Sequence, residues 1–570
     1  MKPEIWVMDL MRCEPAGAVS RDGPPGTWIA VDYEIDRGKG VMLFAVPHSD
    51  APPLTLRLNA AGWHEVRLGI YYSGSVDRVL CAKLSADAAF TRFCREEIHA
   101  TKDGNYPEKL LRTFDLAEVF WKCADLTGQD LVIARPPKGV LSELHETNLA
   151  YVRLVPMDGP ALAEWKSEQP TEETKILIAE YDTGSTVQWG ISTPEDFLAE
   201  FECLRDSDFD IVFYSVAQGP ITLYPTKVGE LLEAEGPFGK ALNQLAKNGF
   251  DLLAEGIKAA RACRVKLFPK NELFGLPLSP KYLSADRGER FLADHPEWVC
   301  TYPDGEPIRT ISFAFEGVRD VHIRLMREWV EDYRADGVNT LFSRSFPLVY
   351  YEEPVCRAFQ QRYGEDMRKL PVSDERVQRV RASFVTQFLR QARAMLDEVG
   401  KKQERYIPTS YRVPVYLSPD IPPEARQSAL AECLFNALDV SAWVREGLVD
   451  YLVPHLHVWG EHDGTAAQPK IREFIELANG TKTKVFVEVY PRRMPPRQYR
   501  KIAMSYYAAG ADGLAFWDTH SRNFRASEWA FVKRLGHRPD LARWEQKGDD
   551  YYRVVPLRRL GGFITGREFS

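Results

Sequence analysis

Two apolar runs near the C-terminal end of the chain, each ending close to a carboxylate, constrain the fold most. One spans residues 484–491 and contains Glu488, and the other spans residues 512–518 and ends in Asp518. The segment between them, residues 499–510, has the composition of a helix. Strand, amphipathic helix and strand form the repeating unit of a parallel α/β barrel, in which the carboxyl ends of the strands carry the chemistry. Glu488 and Asp518 are therefore the first candidates for a catalytic pair.

The same alternation extends back to residue 175 and gives eight candidate strands, the number of a closed barrel. They lie in residues 175–182, 209–215, 264–269, 337–343, 405–408, 449–455, 484–491 and 512–518. The fifth is the weakest, because Pro408 and Pro414 crowd it. Helices are expected between them at residues 194–204, in a long segment through Ala260, and at 318–333, 377–399, 440–445 and 499–510. We therefore predict a (β/α)8 barrel over residues 175–540.

The first 160 residues follow a different pattern. Short alternating runs, separated by Gly, Pro, Asp and Ser, predict an antiparallel β-sandwich over residues 1–160. Residues 161–174 are polar and predict a linker. The last segment, residues 541–570, contains one more alternating run, which we expect to pack as a strand on the sandwich. The fold class is thus multidomain α/β.

Composition limits the function classes. A chain of 570 residues is too long to fold around one ordinary hydrophobic core, so two or three domains are expected. Its net charge of -8 and the absence of a long Lys/Arg block argue against a nucleic-acid partner or an anionic membrane surface. The nine Cys have no metal-ligand spacing and favour a reducing compartment. We expect a cytoplasmic protein, although a secreted protein without its leader would read the same, and a homo-oligomer is left open.

The residues at the ends of the predicted strands combine the carboxylates, aromatic rings, Arg and His that a carbohydrate site requires. They are Glu180, Tyr181, Asp182, Tyr214, Ser215, Asn271, Glu272, Ser343, Arg344, Tyr350, Tyr351, Glu352, Glu353, Ser410, Tyr411, Arg412, His455, His457, Trp459, Glu488, Tyr490, Trp517, Asp518 and His520. Glu488 is the strongest candidate, because an unpaired carboxylate inside an apolar strand costs several kcal/mol.

Several of these residues have structural alternatives. Asp518 is equally suited to cap the next helix, and Glu352 is suited to a contact with a helix N-terminus. His455 and His457 are spaced to share one face of a strand. That spacing can bind a metal, but the other ligands of a hydrolytic metal site are not recognisable, so hydrogen-bonding roles are favoured and no metal or other cofactor is expected.

Five segments carry a resemblance to a known family. They are residues 62–67, 336–344, 349–355, 359–366 and 510–518. The barrel half resembles bacterial glycosyl-hydrolase-like proteins related to family 10 glycosidases, in particular large members with an N-terminal sandwich. The resemblance implies a barrel that hydrolyses glycosidic bonds with two carboxylates, an acid/base near the end of strand four and a nucleophile near the end of strand seven. Glu488 matches the second position.

The first position departs from the family pattern. Relatives place Asn-Glu at the end of strand four, whereas this chain has Ser343 and Arg344 there, and the nearest acids are Glu352 and Glu353 on the following loop. We therefore expect Glu352 to be the acid/base. A separation of about 5–5.5 Å between the two carboxyl groups would make the enzyme retaining, and about 6.5–9.5 Å would make it inverting.

The resulting hypothesis is a glycoside hydrolase that acts on an oligo- or polysaccharide, with Glu488 as nucleophile or base and Glu352 as acid/base. The predicted substrate-binding residues are Asp182, Arg344, Tyr351, His455, His457, Trp459, Trp517 and Asp518, with the two Trp as stacking faces. Two alternatives stay open. One is a metal-dependent sugar-processing barrel that uses His455, His457 and Glu488. The other is a non-catalytic carbohydrate-binding protein on a degenerate barrel.

Overall fold

The computed structural model describes the chain except for residues 1–2, 72–78, 95–114, 137–145, 168–170, 184–186, 188–192, 206, 233–235, 273–290, 292–293, 345, 416–427, 457–462, 490–495, 518, 520–525, 539–540, 542–551 and 565–570. In the described part, no helix has the length and apolar character needed to cross a bilayer.

The N-terminal region is built from short strands. They are β1 Ile5–Val7, β2 Val19–Ser20, β3 Trp28–Ile35, β4 Gly38–Ala45, β5 Leu54–Arg57, β6 Trp63–Tyr71, β7 Val79–Leu84, β8 Thr91–Cys94, β9 Leu116–Asp125, β10 Asp130–Ala134, β11 Thr147–Leu149 and β12 Tyr151–Pro156. Among the described residues they form three sheets, antiparallel apart from the β2–β3 pair. Alternate side chains of these strands, such as Leu43, Leu54, Leu68 and Leu154, fill one apolar core.

The second region contains the strands β13 Leu177–Tyr181, β14 Phe209–Gln218, β15 Ile221–Thr222, β16 Glu230–Leu231, β17 Lys266–Glu272, β18 Val299–Thr301, β19 Pro307–Ile311, β20 Val338–Leu341, β21 Thr409–Val415, β22 Tyr451–Leu456, β23 Lys484–Glu488 and β24 Gly513–Phe516. Eight of them, β13, β14, β17 and β20 to β24, pair in parallel in chain order, and β13 pairs with both β14 and β24. The sheet is therefore closed, and the predicted eight-stranded barrel is confirmed.

Helices follow most barrel strands. They are α1 Gly159–Ser167, α2 Pro194–Glu202, α3 Gly236–Lys247, α4 Leu252–Ala262, α5 Glu316–Glu331, α6 Glu353–Tyr363, α7 Glu375–Lys402, α8 Ala429–Phe435, α9 Val440–Arg445, α10 Gln468–Ala478, α11 Pro496–Ala509 and α12 Ala526–Val532. The predicted long helix through Ala260 is two helices, because Gly249 adopts a φ of 74° and Asp251 caps α4. The predicted linker, residues 161–174, overlaps most of α1.

The fifth barrel strand lies further along the chain than predicted. It spans Thr409–Val415 rather than residues 405–408. Pro408 precedes it and accepts a hydrogen bond from Val338 N at 3.1 Å, so this proline supports the barrel through its carbonyl instead of breaking a strand. Arg412, which was expected to follow the strand, therefore lies inside it.

The end of the chain returns to the N-terminal sheets, as predicted. Its strands are β25 Tyr552–Val555, β26 Leu557–Leu560 and β27 Phe563–Ile564. β25 pairs antiparallel with β9, and β26 pairs antiparallel with β3. The exact domain boundaries stay predictions.

A buried ion pair joins the two regions. Arg92 on β8 is paired with Glu200 on α2, and the two residues are 5% and 3% exposed. Each charge compensates the other in a place where water cannot, so removal of one partner leaves the other buried charge without its main counter-charge.

We expect Glu200→Gln to lower the free energy of unfolding by about 3–5 kcal/mol, because Arg92 then stays buried without its counter-charge. Urea unfolding measures the change. The double variant Arg92→Met/Glu200→Leu should recover most of the loss. A single variant as stable as the native chain would contradict this role for the pair.

Candidate active site at the strand ends

The interior of the barrel is apolar at its middle and charged at the carboxyl ends of the strands. Ile178, Ile211, Phe213, Phe268, Val453, Phe486 and Ala515 fill the middle layer. Side chains alternate along a strand, so the residue two positions further on also points inward. Those residues include Glu180, Ser215, Lys270, His455, Glu488 and Trp517.

We call Glu180, Lys270, Glu272, Arg412, His455, Glu488 and Trp517 the strand-end cluster. Glu180 lies at its centre, between two cations. Its Oε1 atom is 2.5 Å from Lys270 Nζ, and its Oε2 atom contacts the guanidinium of Arg412. The three side chains are almost completely buried. Because burial of an unpaired charge is strongly unfavourable, these contacts hold the three strands β13, β17 and β21 in register with one another.

Lys270 also binds a second carboxylate. Its Nζ atom is 2.5 Å from Glu272 Oε1, which accepts a further hydrogen bond from Ser215 Oγ at 2.9 Å. Burial raises the pKa of Glu272, but Lys270 and, to a smaller extent, Arg344 outweigh it, so the pKa is lowered. Burial lowers the pKa of Lys270, but Glu180 and Glu272 outweigh it and the pKa is raised. Both side chains are therefore ionised at neutral pH.

Glu488 ends strand β23 and contacts His455 and Arg412. Nδ1 of His455 is hydrogen-bonded to its Oε2 atom, and Arg412 Nε lies 3.4 Å from the same oxygen. Glu488 and His455 are both buried. Arg412 thus contacts both Glu180 and Glu488 and joins the two ends of the cluster. Burial raises the pKa of the Tyr506 hydroxyl, and the charge of Glu488 raises it further.

Trp517 is surrounded by cations. The guanidinium carbons of Arg344 and Arg412 lie 4.4 and 4.5 Å from its ring centroid, and Lys270 Nζ lies 5.1 Å from it. Indole rings attract cations at such distances through their quadrupole. Trp517 is 4% exposed. Its predicted role as a stacking face stays a prediction, and its observed contact is with the cationic side of the cluster.

Glu352 lies outside the described contacts of the cluster. It precedes helix α6, and its two carboxylate oxygens accept hydrogen bonds from Tyr350 N at 2.8 and 3.0 Å. Burial raises its pKa. These contacts fix the turn before α6; they are not the predicted contact with the helix N-terminus, because the side chain of Glu352 makes no capping hydrogen bond to α6. Its neighbour Tyr351 is buried beside the ring of Tyr350.

The other predicted site residues are placed as follows. Asp182 follows strand β13 and is partly exposed, and Arg344 follows β20 and is also partly exposed. His457, Trp459 and Asp518 lie outside the described residues. Within the described part of the chain, no group of three or more His, Cys, Asp or Glu side chains is arranged to hold a metal ion.

Sequence reasoning missed Lys270, and it recognised Glu272 only as a residue at a strand end. The available signal was spacing: Phe268, Lys270 and Glu272 are two positions apart and so share a face. The preceding residue, Asn271, points the other way and binds Gly219 through Oδ1 at 2.9 Å and Nδ2 at 3.0 Å. An Asn-Glu dipeptide thus ends the third barrel strand, whereas Ser343 and Arg344 follow the fourth.

No family model matches the chain, and no curated protein matches it. Solved structures with a similar fold include a maltogenic alpha-amylase, AmyB, from Thermotoga neapolitana, with 11% identity and a TM-score of 0.34 over 64% of this chain and 75% of that chain. An endo-1,4-beta-D-mannanase from Thermotoga petrophila RKU-1 has 12% identity and a TM-score of 0.36 over 60% and 88%.

A Schiff base forming fructose-1,6-bisphosphate aldolase also has a similar fold, with 12% identity and a TM-score of 0.30 over 66% of this chain and 98% of that chain. The fold neighbours thus include glycoside hydrolases together with another class of enzyme. At these values the likeness carries no argument about activity, and the function has to be argued from the site.

We expect Lys270→Met to destabilise the fold, because Glu180 and Glu272 lose their shared cation. The loss should be about 3–5 kcal/mol at pH 7. The pKa of Glu272 is lowered in the native state, so its contribution is present above the unfolded pKa and fades as the pH falls. The difference between variant and native chain should therefore shrink at acid pH. Urea unfolding at pH 7 and at acid pH measures this difference in the free energy of unfolding. An equal loss at the two pH values would contradict the coupling between Lys270 and Glu272.

Proposed function

We propose that this chain is a glycoside hydrolase whose carboxylate pair is Glu488 and Glu272. The observation that carries the proposal is the strand-end cluster itself: three carboxylates linked through Lys270 and Arg412 at the carboxyl ends of a closed barrel. That is the end at which barrel enzymes carry their chemistry. Two carboxyl groups acting on one glycosidic bond are the usual requirement for its hydrolysis.

Glu488 keeps the role of nucleophile or base that its position on the seventh strand suggests. Arg412, and the imidazole of His455 when its Nδ1 atom donates the hydrogen bond, are both groups that stabilise an ionised carboxylate. Glu272 replaces Glu352 as the proposed acid/base. The reason is location, because both members of the pair have to reach the same glycosidic bond. Glu272 binds Lys270, and Lys270 also binds Glu180. Glu180 in turn contacts Arg412, which lies beside Glu488.

The remaining predicted residues are proposed to bind the sugar. Arg344 and Asp182 follow barrel strands and are partly exposed, which suits contacts with substrate hydroxyls. Glu272 is the most exposed carboxylate of the cluster, with a side chain 10% exposed against 2% for Glu180 and 0% for Glu488. A substrate is therefore proposed to approach from the side of Glu272.

Variants of the three candidate carboxylates test the assignment. Glu488→Gln should lower turnover by several orders of magnitude on every substrate. At acid pH, where Glu272 is protonated, Glu272→Gln should cost roughly 10²- to 10⁴-fold on glycosides with poor leaving groups and much less on aryl glycosides with good ones, because a good leaving group needs no proton. Glu352→Gln is the matched control. If only the Glu352 variant showed the leaving-group dependence, Glu272 would not be the acid.

The pH profile gives a second test. A proton donor must be protonated, and Lys270 and Arg344 lower the pKa of Glu272, so kcat/KM should fall as the pH rises through a value below the ordinary pKa of glutamate. Arg344→Gln should shift this limb to higher pH, and Arg344→Lys, which keeps the charge, should shift it less. If kcat/KM instead fell at a pH above the ordinary pKa of glutamate, the acid would be Glu352, because burial raises the pKa of that residue.

A second candidate function is carbohydrate binding without hydrolysis. The burial of the cluster supports the second half of this candidate, the lack of hydrolysis, because Glu180, Lys270, Arg412 and Glu488 are all about 2% exposed or less, as in an ion-pair network that only stabilises a barrel. A panel of aryl glycosides and oligosaccharides separates the two. Saccharide binding without turnover, unchanged in Glu488→Gln, would identify the binding protein.

A further inference from the structure

A second site candidate lies at the opposite end of the barrel. A cleft of about 680 Å³ opens between strands β6 and β9, helix α1, the end of α2 and helix α12. It is lined by Asp208, which directly precedes strand β14, whereas Ser215 of the same strand contacts the strand-end cluster. At about 3.3 Å per residue, the two positions are roughly 20 Å apart. A small ligand in the cleft therefore cannot touch Glu488 or Glu272.

Four tryptophans line the cleft. Trp63 on β6 and Trp165 on α1 form one wall, with ring centroids 4.9 Å apart and planes at 45°. Both are partly exposed, so indole surface faces the cleft. Trp121 and Trp529 are nearly buried and complete the lining. Aromatic surface of this kind suits flat, apolar faces of a ligand.

Three pairs of oppositely charged side chains line the cleft. Arg67 is paired with Glu65 at 2.8 Å, Lys122 with Asp87 at 2.5 Å and Arg205 with Glu202 at 3.0 Å. The lining contains six carboxylates and five Lys or Arg side chains in all. The pairs leave no excess of positive charge for a phosphate or a polyanion, but they hold many hydrogen-bonding atoms in fixed positions.

We infer that this cleft binds an uncharged oligosaccharide. Pyranose rings present both a flat apolar face, for Trp63 and Trp165, and a rim of hydroxyls, for the paired polar side chains. The volume lies within the usual range of about 300–1,000 Å³ for ligand sites, which often form where two domains meet. The site is non-catalytic, because it lies at the amino-terminal end of the barrel strands, and it does not depend on the function proposed for the strand-end cluster.

Binding to the full-length protein tests this inference. Maltohexaose, cellohexaose and mannohexaose are titrated and followed by tryptophan fluorescence and calorimetry, with a galacturonate hexamer as the charged comparison. At least one neutral hexasaccharide should bind, and Trp63→Ala or Trp165→Ala should weaken that binding at least tenfold. Trp6→Ala, which removes a tryptophan of the same sheet outside the cleft lining, should leave binding unchanged.

A filling variant covers the case in which a tryptophan variant fails to fold. Ala161 is exposed on helix α1 and lines the cleft, so Ala161→Trp should block binding without removing any contact. Turnover of small aryl glycosides, if the chain has it, should stay unchanged in all cleft variants. The inference is overturned if no neutral hexasaccharide binds, if the galacturonate binds best, or if the cleft variants bind normally while Glu488→Gln does not.

Discussion

The carboxylate of Glu180, enclosed between Lys270 and Arg412, is the interaction on which the rest of the structure depends. Its two oxygens are contacted by cations from two other strands of the barrel. Through Lys270 it is connected to Glu272, and through Arg412 to Glu488 and His455. Buried charges are stable only when all of their partners are present. The partners come from different barrel strands, so the positions of the proposed reactive groups depend on the closure of the barrel.

The sequence allowed the barrel and part of the site to be predicted. Strand periodicity located seven of the eight barrel strands closely and placed Glu488, His455 and Trp517 at strand ends. It failed where tertiary context overrode local signals. Two prolines obscured the fifth strand, although Pro408 contributes a carbonyl to the sheet and Pro414 lies near the end of that strand. Arg412 consequently became an interior residue rather than a loop residue.

Two further errors in the sequence-based prediction concerned charged residues, not the periodicity of apolar residues. Lys270 was overlooked because a lysine after an apolar run predicts the end of a strand, exposed to water. Its burial is favourable only because Glu180 of another strand and Glu272 bind its ammonium group. Glu352 was overvalued because sequence position could not distinguish a loop acid that reaches the barrel mouth from one that binds the adjacent backbone at Tyr350. Both depend on contacts between segments far apart in the chain, which periodicity does not report.

The return of the last strands to the N-terminal sheets has a consequence for synthesis on the ribosome. β9 pairs with β25, and β3 pairs with β26. Each of these partners is translated more than 400 residues after the strand that it pairs with. The barrel between them has all eight of its strands by residue 516 and needs none of those later segments for its sheet. The N-terminal sheets are therefore translated before the barrel but completed after it, when β25 and β26 cover the exposed edges of β9 and β3.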